Sequence, residues 1–390
     1  MDEEGDLAIS LVRGDLLFRV ERAVGLVPAA GSGIGRRAIL LAALTWFPLS
    51  LWAAFAHRVL PGTVAEPLLE HFGVHVRCLV AIPLLVIAEA MAQAQTLSIV
   101  PYFLRSGLVT EVERPRLREV VSGVVRLRNA TLPWAVMAGL VIAWIALEPT
   151  TTSHELLWAA EDSTATARLG FGGWWLVFVA RPVFVALLLV WLWRLALVFL
   201  LLGRIARLDL SIVPSHPDRA GGLGFLERMP LAFSLVVLAV SAVVASQWAH
   251  QVVYHGVAVQ SLFAPMAALV VIAMLLFLSP LLLFLPKLTG AKRKALADYG
   301  ALVGEHGRRV RRRWILGEKV ADDGLLDAPE LGPVADTLTL YEAVQKMRPA
   351  PIGRRAAMAI ALPAVIPIVV VLVLQIPLKS LVLGLLKAIA

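Results

Sequence analysis

Pro182 to Leu202 reads PVFVALLLVWLWRLALVFLLL, an apolar run whose one charge is Arg194. At ~1.5 Å per residue this is a helix ~30 Å long, the thickness of a bilayer's hydrocarbon core. Strands of a membrane barrel would alternate polar and apolar positions over ~10 residues, and this run does not alternate. The same reading places further spans at 38–56, 78–100, 132–147, 229–249, 263–286 and 357–375. The whole chain agrees, with 59% hydrophobic and 16% charged residues and a mean hydropathy of +0.80. A soluble domain carries about a quarter charged residues. The expected fold class is all-α, a polytopic transmembrane helical bundle of about seven spans. Amphipathic interfacial helices and a small cytoplasmic helical segment complete it.

Lysine and arginine set the orientation. With the N-terminus cytoplasmic, the segments on that side hold 28 of them, and the opposite loops with the C-terminal tail hold five. The net charge of +8 follows from this asymmetry and calls for no nucleic acid. The expected divisions are 1–37, a cytoplasmic amphipathic N-terminal segment; 38–286, the six-span bundle; 287–355, a cytoplasmic basic helical segment; and 356–390, the last span with an interfacial tail. Cys78 is the only cysteine, so neither an intrachain disulfide nor a cysteine-rich metal site is available.

Ionisable groups inside spans are costly and are candidates for function. Glu89 lies 11 residues below the outer end of span two, with Gln93 one turn on, and Arg194 lies 12 below that of span four. Both sit ~17–18 Å deep, so an intramembrane ion pair is expected, which reads as a structural staple, as a gate or pathway element, or as an Arg194 that snorkels; Glu89, Gln93 and Arg194 are the pathway or gate candidates. Arg181 reads as an interfacial anchor. His71 and His75, four apart, would share a helix face as metal ligands do, but no third ligand is near in sequence, and no metal site is assigned.

Between spans four and five stands His216-Pro217-Asp218-Arg219-Ala220-Gly221-Gly222-Leu223-Gly224-Phe225. His216, Asp218, Arg219, Gly221, Gly222 and Gly224 form the candidate cytoplasmic-mouth loop. It reads as an anion-binding nest, an acid–base or metal site built on His216 and Asp218, or a rigid turn. Nothing nearby supplies a nucleophile, so no catalytic residue is assigned. These ten residues resemble a signature of uncharacterised bacterial inner-membrane proteins. The resemblance implies a bacterial origin and a shared membrane architecture, and it brings no activity. A second glycine stretch, Ala29 to Arg36, looks like the loop of short-chain dehydrogenases. It leads straight into an apolar span where that fold needs a strand before the loop and a soluble helix after it, so it reads as a linker.

Lys292 to Trp314 has apolar residues at helical spacing and ends in Arg308, Arg309, Arg311, Arg312 and Arg313, a set suited to anionic lipid headgroups. No cofactor is implied. The expected partners are the bilayer, its anionic lipids and further copies of the chain. The leading functional expectation is an oligomeric channel or facilitator for ions or small solutes in the bacterial inner membrane. A membrane-embedded sensor or scaffold acting through 287–355 is the alternative, and a lipid-acting enzyme a weaker one.

Overall fold

The computed structural model describes the chain except residues 1–9, 11, 13–14, 16–18, 20–21, 24, 26–32, 61, 63–65, 148–153, 160–168, 319–331 and 375–390. The described residues form helices and turns with one isolated bridge, Val109 to Leu210. The helices are α1 (Ile34–Phe55), α2 (Phe72–Arg105), α3 (Arg114–Asn129), α4 (Thr131–Leu147) and α5 (Phe171–Ile205). Then come α6 (Gly224–Tyr254), α7 (Val259–Leu282), α8 (Leu285–Val310), α9 (Gly332–Gln345) and α10 (Arg354–Leu374). Six of them, α1, α2, α5, α6, α7 and α10, are long and apolar enough to cross a membrane. Counting the pair α3 and α4, bent by 41° between Asn129 and Thr131, gives a seventh. This is an all-α, multi-pass membrane protein.

The surface shows why a bilayer is the solvent. Ile39 is 70% exposed, Ile142 67% and Leu275 65%, and each sits on a long apolar helix. In water such faces would associate; in lipid they are solvated, and only the backbone must be satisfied internally. The interior is built from α2, α5, α6 and α10. Trp191 of α5 donates its Nε1–H to the Leu85 carbonyl of α2 at 3.0 Å, and Ser241 of α6 donates to the Ala364 carbonyl of α10 at 2.6 Å. α1 is tied to α2 by Trp46 Nε1 donating to His75 Nδ1 at 2.9 Å.

Two expectations about the spans change. The polar stretch 102–129, between the second and third expected spans, is not a single helix. α2 runs on to Arg105, a turn follows, and α3 packs Leu117, Val121 and Val124 inward at helical spacing. The span expected at 182–202 begins earlier, because α5 is continuous from Phe171 to Ile205 with a widened turn near its start. Of the expected N-terminal amphipathic helix only scattered residues are described, and of these Val12 and Asp15 are buried. The acidic loop near 322–333 and the tail 378–390 lie largely or wholly outside the described residues.

Candidate functional site

Two widened turns prepare the site. Val76–Ala81 in α2 and Leu176–Ala180 in α5 are π-helical, and each is followed within two residues by a proline, Pro83 and Pro182. A proline gives no N–H to the carbonyl four residues back, and its ring crowds that carbonyl, here Leu79 or Phe178 within the widened turn. An extra residue in the turn relieves the conflict, a pattern that recurs at functional sites.

The same turns bring one arginine from each helix to a shared carboxylate. Glu155, on the short 3₁₀ turn His154–Ala159, receives Arg77 Nη1 on Oε2 and Arg77 Nη2 on Oε1, both at 3.1 Å. Arg181 Nη2 donates to Oε2 at 2.8 Å, and Gln247 Nε2 of α6 to Oε1 at 3.4 Å. Burial alone would raise the Glu155 pKa; the Arg77 and Arg181 guanidiniums outweigh it and hold it at about 2. Gly73 makes the approach possible, since a Cβ there would stand 2.9 Å from Glu155 Oε1. Around this triad opens a cavity of about 760 Å³, whose further walls include His71, Trp144, Phe184 and His250. At its rim Glu66, His250 and His255 bring possible metal-ligand atoms within 4.8 Å of one another.

Deeper in the bundle a second carboxylate is held the same way. Glu89 Oε2 accepts from Arg37 Nη1 at 2.6 Å and Oε1 from Arg194 Nη2 at 2.8 Å; Arg194 Nη2 also donates to Asp15 Oδ2 at 2.8 Å. All four side chains are at most 2% exposed. The ion pair expected between Glu89 and Arg194 is present, and the structure adds Arg37 and Asp15 to it. The guanidinium of Arg194 also stands 4.9 Å from the Trp191 ring centroid. Opposite charges alternate through the cluster, and the buried Arg128 also acts electrostatically on Asp15, which is what lets these groups remain charged away from water. Gln93 is half-buried one turn on, and its backbone carbonyl accepts from Thr96 Oγ1 at 3.4 Å.

The mouth loop organises itself around Asp218. Its Oδ1 accepts the N–H groups of Ala220 at 2.8 Å and Gly222 at 3.2 Å, and Oδ2 that of Gly224 at 2.7 Å. His216 Nδ1 lies 2.9 Å from Oδ1. Burial works against the Asp218 carboxylate, but these N–H groups more than compensate and lower its pKa. The nest therefore encloses its own anion, and the carboxylate is committed to shaping the turn. Gly222 stands at φ 94 with Leu108 against it, so a side chain there would be strained. Arg219, at φ 57, points an exposed side chain outward, and Arg348 pins the loop from outside by donating Nη2 to the Asp218 carbonyl at 3.0 Å.

Farther away, Arg308, Arg309, Arg311, Arg312 and Arg313 close α8 and the π turn after it. Arg308, Arg311 and Arg312 are exposed, while Arg309 pairs with Glu305 at 2.5 Å. Sequence reasoning missed Arg37, Asp15, Arg77 and Glu155 as members of charge clusters. The available signal was an arginine at the edge of an apolar run with proline one to six residues on, seen at Arg77 and Arg181 alike. No protein-family model matches the chain, no curated protein matches it, and no solved structure matches it.

Proposed function

We propose that this chain is a facilitator for small anionic solutes in a bacterial inner membrane, with its N-terminus cytoplasmic. The observation that carries the reading is the cavity of about 760 Å³ whose polar wall is Arg77, Glu155 and Arg181. Arg77 and Arg181 place two guanidiniums at the wall of the void, with Glu155 between them. An incoming anion can exchange with Glu155 on the same donors, since arginine forks bind carboxylate and phosphate alike. The lining reaches Val185 on α5, nine residues above Arg194, and the packed Arg37–Glu89–Arg194–Asp15 cluster lies beyond it. In this reading the cavity is a vestibule and the cluster a closed constriction. The excess of Lys and Arg at the opposite end supports the orientation.

The test is flux of small anions into proteoliposomes of the purified chain, wild type beside Arg181→Gln. The expected result is saturable, size-selective anion flux that falls at least about tenfold in the variant. Absence of flux from folded, inserted protein refutes the facilitator reading. The sensor or scaffold alternative draws on one observation, the exposed Arg308, Arg311 and Arg312 at the end of α8, which begins three residues after α7 ends. It predicts retention of the chain by anionic vesicles that is lost when these three arginines become glutamine.

A further inference from the structure

We infer that Glu66, His71, His250 and His255 form a binding site for a divalent transition-metal ion of the zinc type, at the rim of the cavity. The inference stands apart from the facilitator reading, because it needs only these four side chains. His71 is the residue just before α2, and Glu66 precedes it by five positions. His250 lies in the last turns of α6, and His255 follows that helix, again five positions on. Sequence inspection paired His71 with His75 and found no third ligand. The structure separates those two. His75 accepts from Trp46 on Nδ1 and donates from Nε2 to the Leu68 carbonyl at 3.0 Å, so both its nitrogens are used. His71 faces His250 instead, from a helix remote in sequence.

The geometry brings three ligand atoms toward one point. Glu66 Oε2 is 3.7 Å from His71 Nε2 and 4.0 Å from His250 Nε2. All three atoms are buried and have no hydrogen-bond partner among the described residues. Polar atoms buried in this way each cost ~1–3 kcal/mol unless something satisfies them. His71 is 3% exposed, so its Nε2 aims into the cluster and not into solvent. Four-coordinate zinc holds nitrogen and oxygen ligands at ~2.0–2.1 Å, which sets neighbouring ligand atoms ~3.3 Å apart. Glu66 Oε2 reaches that spacing with shifts under ~1 Å.

Ring spacing gives an independent check. Two imidazoles on one tetrahedral ion have ring centroids ~5.2 Å apart, from the same bond length extended to the ring centre. The His250 and His255 rings stand 5.1 Å apart at 70° to each other, in keeping with that spacing, while His71 and His250 lie 5.3 Å apart and near parallel, at 21°, so His71 must turn its ring to join them. His250 also has the outer hydrogen bond typical of a metal-bound imidazole. Its Nδ1 lies 2.9 Å from the Glu70 carbonyl, which can only accept, so Nδ1 carries the proton and the Nε2 lone pair is left for a cation. Three imidazoles and one carboxylate suit zinc or its transition-metal neighbours better than magnesium or calcium, which prefer all-oxygen shells.

The experiment uses the full-length chain without an affinity tag, stripped with a chelator and titrated calorimetrically with zinc alone and with magnesium alone. One zinc ion per chain is expected, with no magnesium response at the same concentrations. His71→Gln, His250→Gln and Glu66→Gln should each weaken zinc binding at least about 100-fold, while His306→Gln leaves it unchanged. If a variant fails to fold, the wild type still decides the matter: zinc should slow diethyl pyrocarbonate modification of His250 and His255 relative to His306. Unsaturable binding, binding that survives loss of both His71 and His250, or modification rates indifferent to zinc overturns the site.

Discussion

Replacing Glu89 with glutamine removes one negative charge from the Arg37–Glu89–Arg194–Asp15 cluster while keeping its shape. Glu89 is in contact with two guanidiniums, Arg37 at 2.6 Å and Arg194 at 2.8 Å, and all three side chains are at most 2% exposed. At an effective dielectric constant of ~20, two unit charges with centres ~4 Å apart attract by ~4 kcal/mol, so the gross loss is roughly 8 kcal/mol. The variant saves the desolvation of the carboxylate, and its amide oxygen retains one hydrogen bond. The net cost then falls near the ~3–5 kcal/mol typical of stranding one partner of a buried pair. Arg194→Gln leaves the opposite imbalance and should cost a similar amount. The double variant restores neutrality between Arg37 and Asp15, so its cost should be smaller than the sum of the singles by at least ~2 kcal/mol. Reversible unfolding in mixed micelles, followed by circular dichroism as the denaturing detergent fraction rises, measures all three. Additive costs, or single costs below ~1 kcal/mol, would show that these charges are not coupled and would falsify the reasoning.

Acid should weaken the upper cluster in a defined window. Glu155 has its pKa depressed from 4.5 to about 2, so its contribution is complete above pH 4.5 and is lost as pH falls toward 2, about 3 kcal/mol in all. The groups facing it are Arg77, Arg181, Gln247 and, electrostatically, His71; Glu155→Gln should flatten the stability profile between pH 4.5 and 2. Asp218→Ala frees three loop N–H groups and should cost ~2–4 kcal/mol, with faster hydrogen exchange at Ala220, Gly222 and Gly224 as the readout. Asp218→Asn, which keeps one acceptor oxygen, should cost less. Spin labels placed beside Arg77 and Arg181 should report two distances when a small anion is added, and labels beside Glu89 and Arg194 only one. A single distance at both heights would show that the upper cluster does not open.

The bundle was legible because hydropathy is a local quantity. Each span announces itself within ~20 residues, and the ends of α1, α7 and α10 fall within four residues of their expected places. The Glu89–Arg194 pair was also legible, since a charge inside an apolar run must find an opposite charge and only two such runs offered one. What could not be read was which side chains from the ends of helices turn inward. Arg36 and Arg37 are adjacent, yet Arg36 is exposed and Arg37 is 1% exposed, a difference set by ~100° of helical rotation against neighbours far along the chain. The π turns were invisible for a related reason. A proline shows that the helix must yield nearby, but not whether it kinks or takes up an extra residue. The histidine cluster was the hardest to see, because Glu66 and His71 meet His250 and His255 only after α6 is packed beside α2.

The two carboxylates share a logic that neither shows alone. Glu155 joins Arg77 of α2 to Arg181 of α5, and Glu89 of α2 is held by Arg194 of α5 together with Arg37 of α1. Along α2 the two levels are 12 residues apart and along α5 they are 13, so the same helices are fastened twice at heights ~18–20 Å apart. Fastening at two heights forbids sliding, because a shift of one turn would break both levels together. It permits pivoting, in which one level holds while the other opens. The levels differ in exposure: Glu155 is 21% exposed and Glu89 2%. Water or a solute anion can replace the protein's contacts at the first, whereas breaking the second strands charges in a dry interior. If the proposed facilitator opens one level at a time, the Glu155 level, which lies on the cavity and next to the two π turns, yields first to an entering anion, and the Glu89 constriction opens second.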